Sequence, residues 1–575
     1  MATTPAQRSE GSRVTTAGAG GVLARLLSEE VLQSLIALAL LAAGLWFVLL
    51  PVAALLARSL YDAEGHFVGL ANFRAYLQTP ALIEAALRSV RLSLLAATIT
   101  TLAAYLYAYA LTMSAMPHKR FFHAVALLPL LAPSLLMAIS VVYLFGQQGW
   151  LTAWIGGPIY GEAGIVLGSV LWTFPHALLI MVASLTTIDA RLIEAARLLG
   201  AGPWRVFRTV TLPASRYGLL MAFVAVFVLV ITDFGVPKVI GGQAHVLATD
   251  LYKQVIGQQN FAMGAVVGTV LLLPALVAFL VERRLRARQT AALSVRAVVY
   301  QPEPARWRDG LLWLYCASVA LVFLVVIGTA VFASFVKLWP YDLSLTLKHY
   351  DFDYAHAGGW ESYANSLRMA LGTAVVGTAL ALLTAWLVDR PRRWRVLRDG
   401  VNLLATLPLA VPGLALGLGY ILFFNSPGQL FSALYGTMTL LVLCTVVHFF
   451  SVPHLTLLAA MRQLDREFEA TAESLGVPFW TTLWRVNLPV CLPAALQVAG
   501  FFFVNAMTTV SAVVFLYTPH TQLASVAVLN MDDAGDIAPA AAMAVLIFVT
   551  AALARGLFGF AQGWLLMRTQ RWRQR

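Results

Sequence analysis

The stretch "DARLIEAARLLGAGPWRVFRTVTLP" (189–213) follows a long apolar run, and "DREFEATAESLGVPFWTTLWRVNLP" (465–489) follows another. Subtracting 276 from the second lays Asp465 on Asp189, Gly476 on Gly200, Trp480 on Trp204, and Leu488-Pro489 on Leu212-Pro213. The correspondence reaches further out: "LPLLAP" (128–133) repeats as "LPLAVP" (407–412), at an offset of 279. A chain that writes the same polar segment twice, in the same apolar setting, is an internal duplication.

The surroundings decide the class. Of 575 residues, 60% are apolar and 11% charged, and the apolar residues fall into runs of about 20 or more, long enough to cross a bilayer as helix. Twelve spans are expected, near 33–57, 85–112, 121–146, 163–187, 216–237, 261–281, 311–335, 366–388, 401–425, 435–460, 492–517 and 540–566. The first is too long for a signal-peptide core and is read as a retained helix. Each half holds six spans, with the repeated segment between its fourth and fifth. The halves are therefore parallel, related by an axis along the membrane normal. This gives a cytoplasmic tail 1–32, a first repeat 33–281, a basic connector 282–308, a second repeat 309–567 and a tail 568–575.

Alternate loops carry the Arg and Lys clusters, among them "HKR" (118–120), "ERRLRARQ" (282–289) and "DRPRRWRVLR" (389–398), which places both repeated segments and both termini on the cytoplasmic side. The segments 233–260 and 337–362 then form the outer loops. The 39 Lys and Arg against 27 acids lie in short clusters between spans, a pattern of topology and anionic lipid, and no folded nucleic-acid reader is visible. Cys316, Cys444 and Cys491 have no metal-site spacing and read as packing residues.

Within the repeated segment, Leu192, Ala195, Ala196 and Leu199 recur with helical period, as do Phe468, Thr471, Ala472 and Leu475. Asp189 and Asp465 stand where an N-cap belongs, and Gly200 and Gly476 where the chain needs positive φ to leave a helix. Pro213 and Pro489 suit the first turn of the next span. Small residues in mid-face leave a notch for another backbone to approach. An interfacial helix resting on lipid would be basic in both copies, yet the second is nearly neutral, with Glu467, Glu469 and Glu473 against Arg466 and Arg485, so a cytoplasmic partner is the better account.

The segment "EAARLLGAGPWRVFRTVTLP" (194–213) resembles the EAA loop, EAA-x3-G-x9-I-x-LP, of bacterial ATP-binding-cassette importer permeases, with Val210 at the Ile position. The second copy is looser, with Ala470, Thr471 and Ala472 in place of Glu-Ala-Ala and Glu469 beside them. The resemblance implies the all-α type I importer permease fold in an inner membrane and two copies of a cytoplasmic ATPase subunit. It also implies a periplasmic solute-binding protein and a small solute as cargo. The coupling residues it implies are Glu194, Ala195, Ala196, Gly200, Leu212 and Pro213, with Glu469, Ala470, Thr471, Ala472, Gly476, Leu488 and Pro489 in the second copy. Fusion of two permeases in one chain resembles the 2-aminoethylphosphonate and ferric-iron branch.

No GxxxxGK[ST] loop occurs, so ATP must be handled by another polypeptide, and no catalytic constellation, cofactor or metal site is expected here. His176, His448 and His454, in or at the ends of spans, read as helix-packing residues. "ITDFGVPKVIGGQAHVLATDLYKQVIGQQNF" (231–261) and "WPYDLSLTLKHY" (339–350) resemble the 2-aminoethylphosphonate permeases; ferric iron is the alternative. Thr232, Asp233, Asn505, Thr508 and Thr509, at the outer ends of the fifth and eleventh spans, are candidates for the solute path, with helix capping as the competing role for Asp233. A secondary transporter of two six-span halves would place ionisable residues at mid-membrane; here Arg91 and Arg368 lie near helix starts.

Overall fold

The computed structural model describes residues 19–292, 298, 300–353, 358–390, 394–426 and 428–569. Most of the N-terminal tail, part of the connector, the basic residues 391–393, the outer-loop residues 354–357 and the tail from 570 onward lie outside the described residues.

Nine of the twelve expected spans are single helices: Glu30–Arg58, Pro80–Met113, Glu162–Thr186, Pro203–Thr232, Phe261–Leu285, Arg306–Phe335, Gly359–Asp389, Phe479–Thr508 and Ile537–Met567. The shortest has 25 residues, which at about 1.5 Å per residue exceeds the ~30 Å hydrocarbon thickness.

The other three, expected as unbroken crossings, are each two helices. Lys119–Leu131 meets Ser134–Phe145 at 103°, Arg395–Ala410 meets Gly413–Phe424 at 114°, and Met438–Phe449 meets Ser451–Arg462 at 60°. The two sharp corners are written by the Leu-Pro repeat itself. Pro133 and Pro412 exclude helical backbone at the residue before them. Ala132 is accordingly extended at φ −99°, ψ 140°, and Val411 at φ −107°, ψ 113°. At the third break Pro453 has no N–H to give the carbonyl of Phe449. Counted as broken crossings, these pairs keep the total at twelve.

The fifth and eleventh spans start earlier than expected, at Pro203 and Phe479. Pro213 therefore does not open its span but sits inside a continuous helix, and Pro489 does the same. Pro213 cannot donate to the carbonyl of Thr209, and the backbone passes the gap as a π turn, Phe207–Thr211; Leu483–Asn487 repeats it 276 residues on.

The duplication extends to single bonds. The backbone N–H of Leu247 donates to Ser89 Oγ at 2.8 Å, and that of Ala524 donates to Ser366 Oγ at 2.8 Å, the two sites being 277 residues apart. At another matched contact the partners are exchanged. A Cβ on Gly235 would lie 2.3 Å from Ser134 Oγ, and one on Gly413 would lie 2.4 Å from Ser511 Oγ. Each half keeps one glycine and one serine there, on opposite sides of the contact.

Each half lends its first span to the other. The helix Glu30–Arg58 packs on Arg395–Thr406 and Gly413–Phe424 of the second half. Tyr420 donates to the carbonyl of Phe47 at 2.7 Å, and Trp46 meets the ring of Phe423 edge-on. Reciprocally, Arg306–Phe335 packs on Lys119–Ala126 and Ser134–Phe145, with Tyr315 donating to the carbonyl of Ala103 at 2.9 Å. The three cysteines are buried and free. The segment 233–260, expected as an outer loop, contains the largely buried short helices Gly235–Ile240 and Leu247–Tyr252.

Candidate docking helices and translocation path

The first repeated segment forms the helix Ala190–Leu198. Asp189 Oδ1 accepts from the N–H of Arg191 at 3.1 Å, and Gly200 leaves the helix at φ +80°. The N–H of Ala201 reaches the carbonyl of Ala196 at 3.0 Å and that of Gly200 reaches Arg197 at 2.9 Å, a Schellman stop. The second segment forms the helix Glu467–Ser474 and repeats this bond for bond. Asp465 accepts from Glu467 at 3.1 Å, Val477 donates to Ala472 at 2.9 Å, Gly476 donates to Glu473 at 3.0 Å, and Gly476 has φ +67°.

The apolar stripe that defined these helices in sequence points away from the chain. Leu192, Leu198, Leu199 and Trp204 are exposed, Leu199 at 87%, and so are Phe468, Leu475, Trp480 and Trp484. Glu194 and Ala195 are exposed, as are Ala470 and Thr471. Ala196 and Ala472 are half-buried, so the notch is open on one side only. Ile193, which the stripe omitted, is 3% exposed and anchors the first helix to the core.

The two helices are braced differently. The first is held by the connector: the N–H of Ala190 donates to the carbonyl of Val298 at 2.9 Å, and Arg197 bonds Glu303 at 3.1 Å and Tyr300 Oη at 2.7 Å. In the second, Glu469 is engaged by Arg390 at 2.9 and 3.0 Å, so its carboxylate is turned toward the chain.

The five candidate path residues sit at matched helix ends, and the side chains of Thr232, Asn505 and Thr508 bond locally. Thr232 donates to Val228 at 2.8 Å, Asn505 to Phe501 at 2.8 Å and Thr508 to Val504 at 3.1 Å, each one turn back. Asp233 accepts from the N–H groups of Gly235 and Val236, capping the next helix, and buried Thr509 accepts at its carbonyl from Ser525. The halves meet instead at residues that sequence reading passed over. Lys238 Nζ lies 2.9 Å from Asp533 Oδ1 and over the ring of Tyr252, which stacks on Phe515. Beside them, burial and then the neighbouring Asp533 push the Asp532 carboxyl up to about 7, against the pull of Lys238. At the other end a cavity of about 380 Å³ opens between the sixth and ninth spans, lined by Glu282, Arg283, Asp399, Asn402 and Thr406. Buried His454 holds Asn402 at 3.0 Å and Thr384 at 3.2 Å.

The helices and the two repeated segments together define a duplicated, multi-pass membrane protein. Residues 102–290 and 377–561, more than half of the chain, match the family described as binding-protein-dependent transport system inner membrane component, and the chain belongs to it. The ferric transport system permease protein FbpB of Actinobacillus pleuropneumoniae is 29% identical, over 77% of this chain and 66% of that protein. A putative ferric transport system permease protein of Haemophilus influenzae is 28% identical, over 69% of this chain and 64% of that one. The chain thus spans slightly less than two thirds of both. The thiamine transport system permease protein ThiP of Salmonella typhimurium is 24% identical, over 68% and 73%. A solved bacterial ABC transporter involved in import of the acidic polysaccharide alginate aligns with 47% of this chain and 98% of its own, at 15% identity and a TM-score of 0.39.

Proposed function

We propose that the chain is a permease subunit of an ATP-driven importer, 33–281 and 309–567 acting as its two repeats around the connector 282–308. Two cytoplasmic ATPase subunits seat on the docking helices, and a solute-binding protein delivers cargo to the opposite face. The observation that carries this reading is the pair of bond-for-bond equivalent helices, each turning an apolar stripe outward. Exposed Leu and Trp side chains of that density mark a contact surface. Their matched placement under a parallel repeat fits a pair of like subunits.

The proposed cargo is 2-aminoethylphosphonate, on the resemblance of 231–261 and 339–350. Lys238 beside Asp532 and Asp533 offers both signs of charge for a zwitterion where the halves meet. Ferric iron is the second reading, favoured by the names of the two ferric permeases above. The test is ATP hydrolysis in proteoliposomes holding the chain, its ATPase and its binding protein. Stimulation by 2-aminoethylphosphonate and not by ferric iron supports the first; the reverse replaces it.

A further inference from the structure

Arg390 follows the helix Gly359–Asp389, and its side chain is only 3% exposed. Its Nη1 donates to both carboxylate oxygens of Glu469. Nη2 donates to the carbonyls of Met461 and Leu464, at the end of the helix Ser451–Arg462. Nε lies 3.2 Å from Asp389 Oδ2, and Arg462 and Arg466 stand 3.6 Å from the other oxygen of the same carboxylate. One planar guanidinium thus ties the end of the eighth span, the end of the tenth and the second docking helix. A lysine, a point charge on a flexible stem, has no fork with which to hold all three.

The first half is built otherwise. Glu469 falls on Ile193 under the offset of 276 that relates the two docking helices, and Arg390 falls on Met113, a buried core residue, under the offset of 277 that relates Ser366 to Ser89 on the same pair of helices. Where the first docking helix is anchored by a buried isoleucine, the second is anchored by an ion pair. An apolar contact permits sliding; a charge-assisted pair with a nearly buried guanidinium is directional.

We propose that Arg390 is the positioning residue that transmits movement of the second docking helix to the eighth and tenth spans, with Glu469 as its counterpart on that helix. The assignment rests on the docking role given to both helices. In the first half that duty falls to Ile193 and to the Arg197 contacts with the connector.

The test uses the full chain co-expressed with its ATPase and reconstituted with its binding protein, scoring ATPase co-purification, ATP hydrolysis and solute uptake. Arg390→Lys and Glu469→Gln are expected to retain the ATPase and its hydrolysis while uptake per ATP falls tenfold or more; Met113→Leu, at the equivalent position of the first half, leaves that ratio unchanged. An unchanged ratio in Glu469→Gln overturns the proposal, and Glu469→Gln decides alone if Arg390→Lys fails to fold. Loss of the ATPase from a folded Glu469→Gln chain also overturns it, because Glu469 would then face the partner. Ala195→Trp and Thr471→Trp separate the two readings: if both keep the ATPase bound, the docking role itself is wrong, whatever Arg390 does.

Discussion

Gly200 and Gly476 hold left-handed backbone, with none of the described residues within 4 Å of where a side chain would begin. Gly200→Val therefore costs the isolated chain only the conformational strain, about 1–2 kcal/mol, and leaves its packing intact. Thermal unfolding in detergent should shift slightly while co-purification of the ATPase is lost. Glu194 and Glu469 separate in the same way. Glu194 is exposed, so Glu194→Ala should leave unfolding within about 0.5 kcal/mol and weaken docking. Glu469→Ala removes two bonds from a 3%-exposed arginine and should lower the stability of the chain itself by about 1.5–3 kcal/mol. The motif residues were legible because caps and positive-φ glycines have a fixed spacing. The inward turn of Glu469 was not, since it depends on Arg390, 79 residues away in sequence.

At the scale of elements, the two serine caps make a quantitative comparison possible. Ser89→Ala and Ser366→Ala each leave a buried backbone N–H unpaired, a loss of about 1–3 kcal/mol. The two variants should be destabilised equally, with faster amide exchange at Leu247 and Ala524 respectively; a marked inequality would show that the matched helices bear different loads. The nine long helices were readable from apolar run length. The corners at 103° and 114° stood in the Leu-Pro repeat as well, although hydropathy alone treats a bent run and a straight one alike.

For the whole molecule, the shared side of the docking helices follows from the parallel repeat. Cysteines placed at Leu198 and Leu475, both exposed, should resist an impermeant thiol reagent added outside intact cells. A cysteine at exposed Leu345, in the hairpin after the seventh span, should label. Labelling at either docking helix would invert the topology. The inter-half contact predicts a pH effect. Asp532, raised to about 7, contributes stability in its neutral form that is full below its unfolded pKa near 4 and is lost as pH rises through about 7. Unfolding temperature should therefore drop between pH 5.5 and 8, and Asp532→Asn should flatten that drop.

By itself the sequence determined the class, the duplication, nine long apolar helices and the two repeated polar segments with their caps. Each of these is local: run length, charge beside a run, and cap spacing act over one to four turns of chain. Tertiary structure alone decided that each half borrows the other's first span, that the two glycine–serine contacts are exchanged, and that Lys238 meets Asp533. It also decided that the second docking helix is tied down by Arg390. These depend on which surfaces meet after the chain has doubled back through the membrane, and residues hundreds apart carry no mark of their partner in their own neighbourhood.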